Sequence, residues 1–121
     1  MGGALKPLVW IGSSRKALKA LPDAVQDVFG YALYLAQAGG RHVDAKPLKG
    51  FHGAGVLEVV ESFAGNAYRA VYTVRFEDAV YVLHAFQKKS KSGIATPKED
   101  IETIKRRLSD AQALSRKESG K

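Results

Sequence analysis

The residues best suited to chemistry lie between Tyr68 and Pro97, in the segment YRAVYTVRFEDAVYVLHAFQKKSKSGIATP. Arginine can hold a phosphate through two parallel hydrogen bonds, and lysines add positive charge. Histidine can move a proton near neutral pH. Such a set suits the binding and chemistry of a phosphate group, and its members here are Arg69, His84, Lys88, Lys89 and Lys91.

The elements that must position these side chains are predicted from apolar periodicity and turn residues. The pattern predicts a strand over 6–11, helices over 15–21 and 23–38, an antiparallel meander of strands over 56–62, 68–75 and 79–86, and a helix from about residue 97. Asp23 with Gln26 resembles a capping box, and Thr96 is predicted as the N-cap of the last helix, with Glu99 completing a second box. A frayed polar tail is expected from Ser115.

The helix over 23–38 has an unusually wide apolar surface. Its expected core face comprises Val25, Val28, Phe29, Ala32, Leu33 and Ala36. Tyr31, Tyr34 and Leu35 widen that surface, and we interpret them as part of a broad core face rather than a second contact surface. The last helix has a narrower stripe, formed by Ile101, Ile104, Leu108 and Ala111.

A loop is predicted over residues 41–55, which are rich in glycine, lysine and histidine. Its glycines do not match a phosphate-cradling motif, because no strand leads into the loop and no GKS or GKT follows. Lys46 and Lys49 can still contribute positive charge to a groove.

Side-chain alternation predicts which residues share a face of the sheet. With two-residue turns at Gly65-Asn66 and Glu77-Asp78, Arg69 pairs with Phe86, and Val71 pairs with His84. One face then carries Glu58, Val60, Ser62, Arg69, Val71, Thr73, Arg75, Val80, Val82, His84 and Phe86, joined by Lys88 if the strand continues. The other face carries Tyr68, Ala70, Tyr72, Tyr81, Leu83 and Ala85, a surface suited to packing helices.

A purely structural interpretation of the same residues stands beside this one. In it, Arg69 pairs with Glu58, His84 is a hydrogen-bonded core histidine, and the lysine-rich loop is merely solvated. The sequence pattern alone leaves both interpretations open.

Composition excludes several classes of function. The chain has 121 residues with 19 Lys+Arg against 12 Asp+Glu, a net charge of +7 that favours an anionic partner. With no cysteine, thiolate metal sites and cysteine nucleophiles are excluded. The three histidines are too scattered for a metal-binding helix, so we expect no metal or cofactor. We find no signal core or membrane-length apolar run, and we expect one cytoplasmic domain without a membrane partner.

The motifs YRAVY and YVLHAFQKKSKSGIATP, followed by a helix with a basic patch, resemble the RelE/HigB-type toxins of bacterial toxin–antitoxin systems. More narrowly, they are similar to the phage-derived HigB-like branch of the RelE/ParE superfamily. The resemblance covers about residues 7–112 of a single domain (1–121), leaving 1–5 and 115–121 as expected flexible ends. It implies a small α+β fold, with two N-terminal helices on one face of an antiparallel sheet, a C-terminal helix, and a concave basic surface on the other face.

The resemblance also implies an activity. RelE/HigB toxins are metal-independent endoribonucleases that cleave messenger RNA on the ribosome and inhibit translation, and an antitoxin, here expected to be a helix-turn-helix protein, neutralises them. Carried onto this chain, Arg69 would stabilise the phosphate, and Lys88 and Lys89 would bind phosphate or assist proton transfer. His84 would be a possible acid or base, and Lys46, Lys49 and Lys91 would hold RNA.

One position departs from the family pattern. Many relatives have an arginine on the strand where this chain has Val60. Either another basic residue substitutes for it, or cleavage is weak, or the substrate differs. Two alternatives to a ribosome-dependent nuclease also stay open: a ParE-like gyrase poison, and a non-catalytic module that binds RNA or an antitoxin. The FQKK segment favours the nuclease.

Overall fold

The computed structural model describes residues 5–51, 53, 55–88 and 96–119. The elements in chain order are β1 (Leu8–Trp10), α1 (Ser14–Lys19), α2 (Asp23–Gln37), β2 (Lys46–Pro47), β3 (Val56–Phe63), β4 (Asn66–Thr73), β5 (Val80–Lys88) and α3 (Lys98–Ser119). This confirms the predicted α+β class, with two N-terminal helices and one C-terminal helix. No helix among the described residues is long and apolar enough to cross a membrane.

Within the described part of the chain, the sheet has five strands in the order β1-β5-β4-β3-β2. The β3–β4–β5 meander is antiparallel as predicted, whereas β1 pairs in parallel with β5, so the sheet is mixed. Strand β2 lies within the predicted loop over 41–55 and pairs with β3, placing Lys46 opposite Glu58. That part of the loop prediction is wrong, because two residues suffice to extend an edge.

The β3–β4 hairpin turns at Ala64 and Gly65, one position before the predicted turn. Both residues have positive φ, 52° and 81°, as a two-residue hairpin with the twist of its strands requires. The pairing therefore moves by two residues, which leaves every side chain on its predicted face. Val60 lies opposite Arg69, and Glu58 lies opposite Val71.

The pairing of β4 with β5 differs from the prediction more than that of β3 with β4. Arg69 pairs with Phe86 and Val71 with His84 as predicted, but Tyr72 pairs with Val82 because a bulge interrupts the register after Val71. The bulge inverts the faces of β5 beyond it: Val80 and Val82 pack in the core beneath α1 and α2, and Tyr81 and Leu83 pack in the other core. The predicted faces of these four residues are wrong, because a β-bulge adds one residue to a single strand.

Two cores lie on opposite faces of the sheet. The first joins Val25, Phe29, Ala32 and Leu33 of α2 to Val59, Ala70 and Tyr72 of the sheet. The second joins Ile104 and Ala111 of α3 to Val71, Tyr81 and Leu83. Helix α3 thus covers part of the face that was expected to be an open concave surface.

The helix boundaries correct several local predictions. Pro22 is the N-cap of α2 without a side-chain capping bond, and the Gln26 amide instead donates to the carbonyls of Lys19 and Leu21. Helix α3 begins at Lys98, after Thr96 and Pro97, and continues past the predicted end to Ser119. Tyr31 and Tyr34 are 56% and 49% exposed, so they are not part of the core face.

Candidate functional site

A buried ion pair between β3 and β4 lies at the centre of the candidate site. Arg69 Nη1 donates to Glu58 Oε1 at 2.7 Å, and the two residues are 5% and 6% exposed. The same nitrogen donates to Thr96 Oγ1 at 2.8 Å, just before α3. The predicted alternative pairing of Arg69 with Glu58 is therefore present, and it fixes the guanidinium between two strands and a helix start.

Two lysines flank this ion pair. Lys46 of β2 is exposed and lies opposite Glu58 in the strand register, and Lys88 ends β5, two residues after Phe86, the partner of Arg69. Side chains alternate along a strand, so Lys88 lies on the Arg69 face. The site thus gathers positive charge from three strands around one carboxylate.

The charges of these side chains act on one another. Desolvation lowers the pKa of Lys88, the positive charges of Arg69 and Lys46 lower it further, and the Glu58 carboxylate opposes the shift. Lys88 therefore releases its proton more readily than an isolated lysine does. Such a shift favours proton exchange with a substrate relative to an isolated lysine.

His84 lies on the same face but has a protein partner. Its Nε2 is 2.8 Å from Asp100 Oδ1, in the first turns of α3, and its ring stacks on Phe86 with 4.7 Å between centroids. Burial lowers the pKa of His84, and the hydrogen bond with Asp100 opposes this shift. The imidazole is therefore held mainly neutral at pH 7, and it connects β5 to α3.

A third polar contact stabilises the bulge of β5. Arg107 Nη1 donates to the Leu83 carbonyl at 2.9 Å, and Nη2 is 3.0 Å from Ser13 Oγ. Its guanidinium passes over Gly12, where an added Cβ would lie 2.8 Å from Nε. Gly12 has a φ of 57°, which favours glycine, and a Cβ there would force the Arg107 side chain to shift. Arg107 connects α3 to both β5 and the segment before α1.

The structure brings together only some of the predicted site residues. Arg69, His84, Lys88 and Lys46 share one end of one sheet face. Lys49 lies elsewhere, beside Phe51 and Val56 in a cavity of about 290 Å³ at the start of β3. Lys89 and Lys91 lie outside the described residues.

Sequence reasoning did not assign a role to Thr96 or Asp100 at the site. Side-chain alternation across the hairpin already placed Glu58 on the face of Arg69, so that contact had a signal. The contacts of Thr96 and Asp100 had none, because they depend on the angle at which α3 crosses the sheet. Among the described residues, no group of three or more histidine, aspartate or glutamate side chains could hold a metal ion.

A comparison of the sequence with protein-family profiles places the chain in a known family. It belongs to the phage-derived Gp49-like protein family (DUF891), whose profile matches residues 16–109. This family includes RelE-type toxin-like proteins, and a toxin-like protein suggests an antitoxin partner. No curated protein matches the chain.

Proposed function

We propose that this protein is the toxin of a toxin–antitoxin system and acts as a metal-independent, ribosome-dependent messenger RNA endonuclease. The observation that supports this most directly is the convergence of Lys46, Arg69 and Lys88 from three strands on one end of one sheet face. Membership of a family that includes RelE-type toxin-like proteins supports the same proposal.

The proposed reaction is a transfer within the RNA strand. The ribose 2′-oxygen forms a bond to the adjacent phosphorus, and the bond from phosphorus to the 5′-oxygen of the next nucleotide breaks. The 2′-hydroxyl proton goes to a base, and the leaving 5′-oxygen takes up a proton, so the products are a cyclic phosphate and a 5′-hydroxyl end. The protein must orient the nucleotide and stabilise the extra negative charge on the non-bridging oxygens of the phosphate.

The roles of the described residues follow from their surroundings. Arg69 would stabilise the developing charge on the phosphate. Lys88, whose pKa is lowered by desolvation and by the charge of Arg69, would take or give the proton. Lys46 would hold the RNA backbone, and His84 would support the start of α3 through Asp100. Lys89 enters the proposal as a second lysine that binds phosphate or assists proton transfer. Lys91 enters it as a further RNA contact, and Lys49 as a more distant one.

Two lysines near Val60 would supply the positive charge that an arginine provides in many members of the family that the sequence resembles. Val60 is half-buried directly opposite Arg69, where the family resemblance leads one to expect a second arginine. Lys46 and Lys88 lie on either side of the Glu58–Arg69 pair and would supply that missing positive charge. We therefore expect Val60→Arg to increase the cleavage rate if the site has room, and to lower stability if it does not.

The test is induced expression in a bacterial host without antitoxin, followed by primer extension on an abundant messenger. We expect growth arrest and new 5′ ends inside translated codons. Arg69→Lys and Lys88→Ala should abolish or strongly reduce both effects. The first variant keeps a positive charge beside Glu58, so the ion pair is not left unbalanced.

Lys19→Ala is the matched control, because Lys19 is exposed on α1. It should arrest growth and cut messenger as the wild type does. Arrest without new 5′ ends would contradict a nuclease and indicate the gyrase-poison alternative. Salt-sensitive RNA binding with neither arrest nor cuts would indicate the non-catalytic module, which the existing partners of Arg69 and His84 favour.

A further inference from the structure

Two different acceptors share one nitrogen of Arg69. The two N–H groups of Nη1 point to Glu58 Oε1 at 2.7 Å and to Thr96 Oγ1 at 2.8 Å. One acceptor is a buried carboxylate on a central strand, and the other is a neutral hydroxyl before the start of α3. Both contacts have the ionised guanidinium as donor, but only Glu58 also carries a charge, so Coulomb attraction makes the Glu58 contact the stronger of the two.

A phosphate oxygen that binds Arg69 at Nη1 must compete with one of these two acceptors. Arg69 is only 5% exposed, so its Nη1 cannot reach a phosphate oxygen while both contacts remain. If the phosphate displaced Glu58, the buried Glu58 carboxylate would be left without its partner, which is strongly unfavourable. Replacing Thr96 by a phosphate oxygen exchanges a neutral acceptor for a charged one, which is favourable.

We propose that Glu58 is a positioning residue that fixes Arg69 for phosphate binding, and that the Thr96 hydroxyl occupies the place of the phosphate oxygen until RNA binds. This inference rests on the proposed function and adds two residues with opposite effects to it. RNA binding would release Thr96 and thereby loosen the start of α3 from β4. Glu58 would keep its contact throughout.

The two roles predict changes of opposite sign. Thr96→Val removes the competing acceptor, so a larger fraction of the protein is ready to bind phosphate and the apparent affinity for RNA rises. Glu58→Asp keeps the negative charge but shortens the side chain by one methylene, so the guanidinium moves. A merely structural role for both residues would lower activity in both variants.

The experiment measures cleavage of a defined messenger on purified, programmed ribosomes, with enzyme in excess so that each ribosome reacts once. The rate at saturation reports the chemistry, and the concentration for half-saturation reports binding. We expect Thr96→Val to bind about threefold more tightly. We expect Glu58→Asp to react about tenfold more slowly at saturation, with binding nearly unchanged.

Matched controls separate these effects from general ones. Thr96→Ser keeps the hydroxyl and should behave as the wild type. Thr103→Val makes the same change within α3, and Glu61→Asp makes the same change on β3, on the sheet face opposite Glu58; neither should alter either parameter. Urea unfolding of every variant gives the folded fraction at the assay temperature, so that a loss of activity caused by unfolding is recognised.

Four outcomes would overturn the inference. They are weaker or unchanged binding by Thr96→Val, a wild-type rate for Glu58→Asp, a loss in Glu58→Asp that matches its unfolded fraction, and the same changes in the two controls. These outcomes leave the proposed nuclease intact, since the wild type still cleaves. A wild-type protein that cuts no messenger on programmed ribosomes would overturn the proposed function and this inference together.

Discussion

The two faces of the sheet bury very different groups. Beneath α1 and α2 the core is apolar, and Val25, Phe29 and Val59 are 0% exposed. Beneath α3 the half near Tyr81 and Leu83 is equally apolar, but the half near the start of α3 buries Glu58, Arg69 and most of His84. Charged groups are costly to bury, and apolar side chains of similar size would fill the same space at lower cost. A face that buries charged groups is therefore expected to serve binding or chemistry.

The largest effect should come from breaking the apolar face. Phe29→Ala removes a fully buried ring from α2, and a substitution of this kind costs about 3–5 kcal/mol. Urea unfolding followed by circular dichroism measures the change. Val43→Ala is the control, because Val43 is 91% exposed and its truncation should change stability by less than about 0.5 kcal/mol. An equally small effect at Phe29 would mean that α2 packs loosely on the sheet.

Two variants of the Glu58–Arg69 ion pair test whether this pair stabilises the folded protein. Arg69→Leu leaves the Glu58 carboxylate buried without its partner and should cost about 3 kcal/mol or more. Adding Glu58→Leu should recover most of that loss, because an apolar pair of similar volume is often as stable as a buried ion pair. Urea unfolding of both variants gives the comparison.

The recovered double variant should still fail to arrest growth when expressed without antitoxin. A stable, folded protein without activity would show that this ion pair serves function rather than folding. A double variant no more stable than Arg69→Leu would show the reverse.

Local sequence signals predict most of this fold. The apolar period of α2, the alternation in the meander and the glycine at the hairpin turn set the order of the elements and the pairing near Arg69. These features depend on residues that are close in sequence. An error of one position in the predicted hairpin turn changed the pairing of β3 with β4 but left each side chain on its predicted face of the sheet. The site residues on β3, β4 and β5 were therefore placed on one face correctly.

Features that depend on distant contacts could not be predicted in this way. The bulge after Val71 has no glycine or other local marker, and it inverts the faces of Tyr81 and Leu83 while leaving His84 in place. The burial of Tyr31 and Tyr34 was overestimated because hydrophobicity alone does not say which side of a helix meets the sheet. The crossing of α3 was equally invisible, although it decides the partners of Arg69 and His84.

The hydrogen bond between Arg107 and the bulge of β5 can be tested by substitution. Arg107→Met removes the donor to the Leu83 carbonyl and the contact with Ser13 but keeps a long apolar stem. A hydrogen bond from a charged donor to a part-buried acceptor contributes about 1.5–3 kcal/mol, so a loss of about 2 kcal/mol is expected in urea unfolding. Arg106→Met, exposed one position earlier, should have little effect. Equal losses of stability in Arg106→Met and Arg107→Met would indicate that the positive charge of α3 in general, rather than the contact with the bulge, stabilises the protein.

The smallest expected effect is on the pH dependence of stability, to which His84 contributes on the α3 face of the sheet. Burial lowers the pKa of His84 in the folded protein below its unfolded value of about 6.5, so the unfolded chain binds the proton more tightly. Stability from this group is therefore complete above about pH 6.5 and declines as the pH falls below it. His84→Gln should remove that part of the decline between pH 7.5 and 5.5 in urea unfolding, with a smaller change at pH 7.5 than Arg107→Met produces. If His84→Gln keeps the full decline, the pH dependence arises from the carboxylates, and the polar half of the α3 face does not couple protonation to folding through His84.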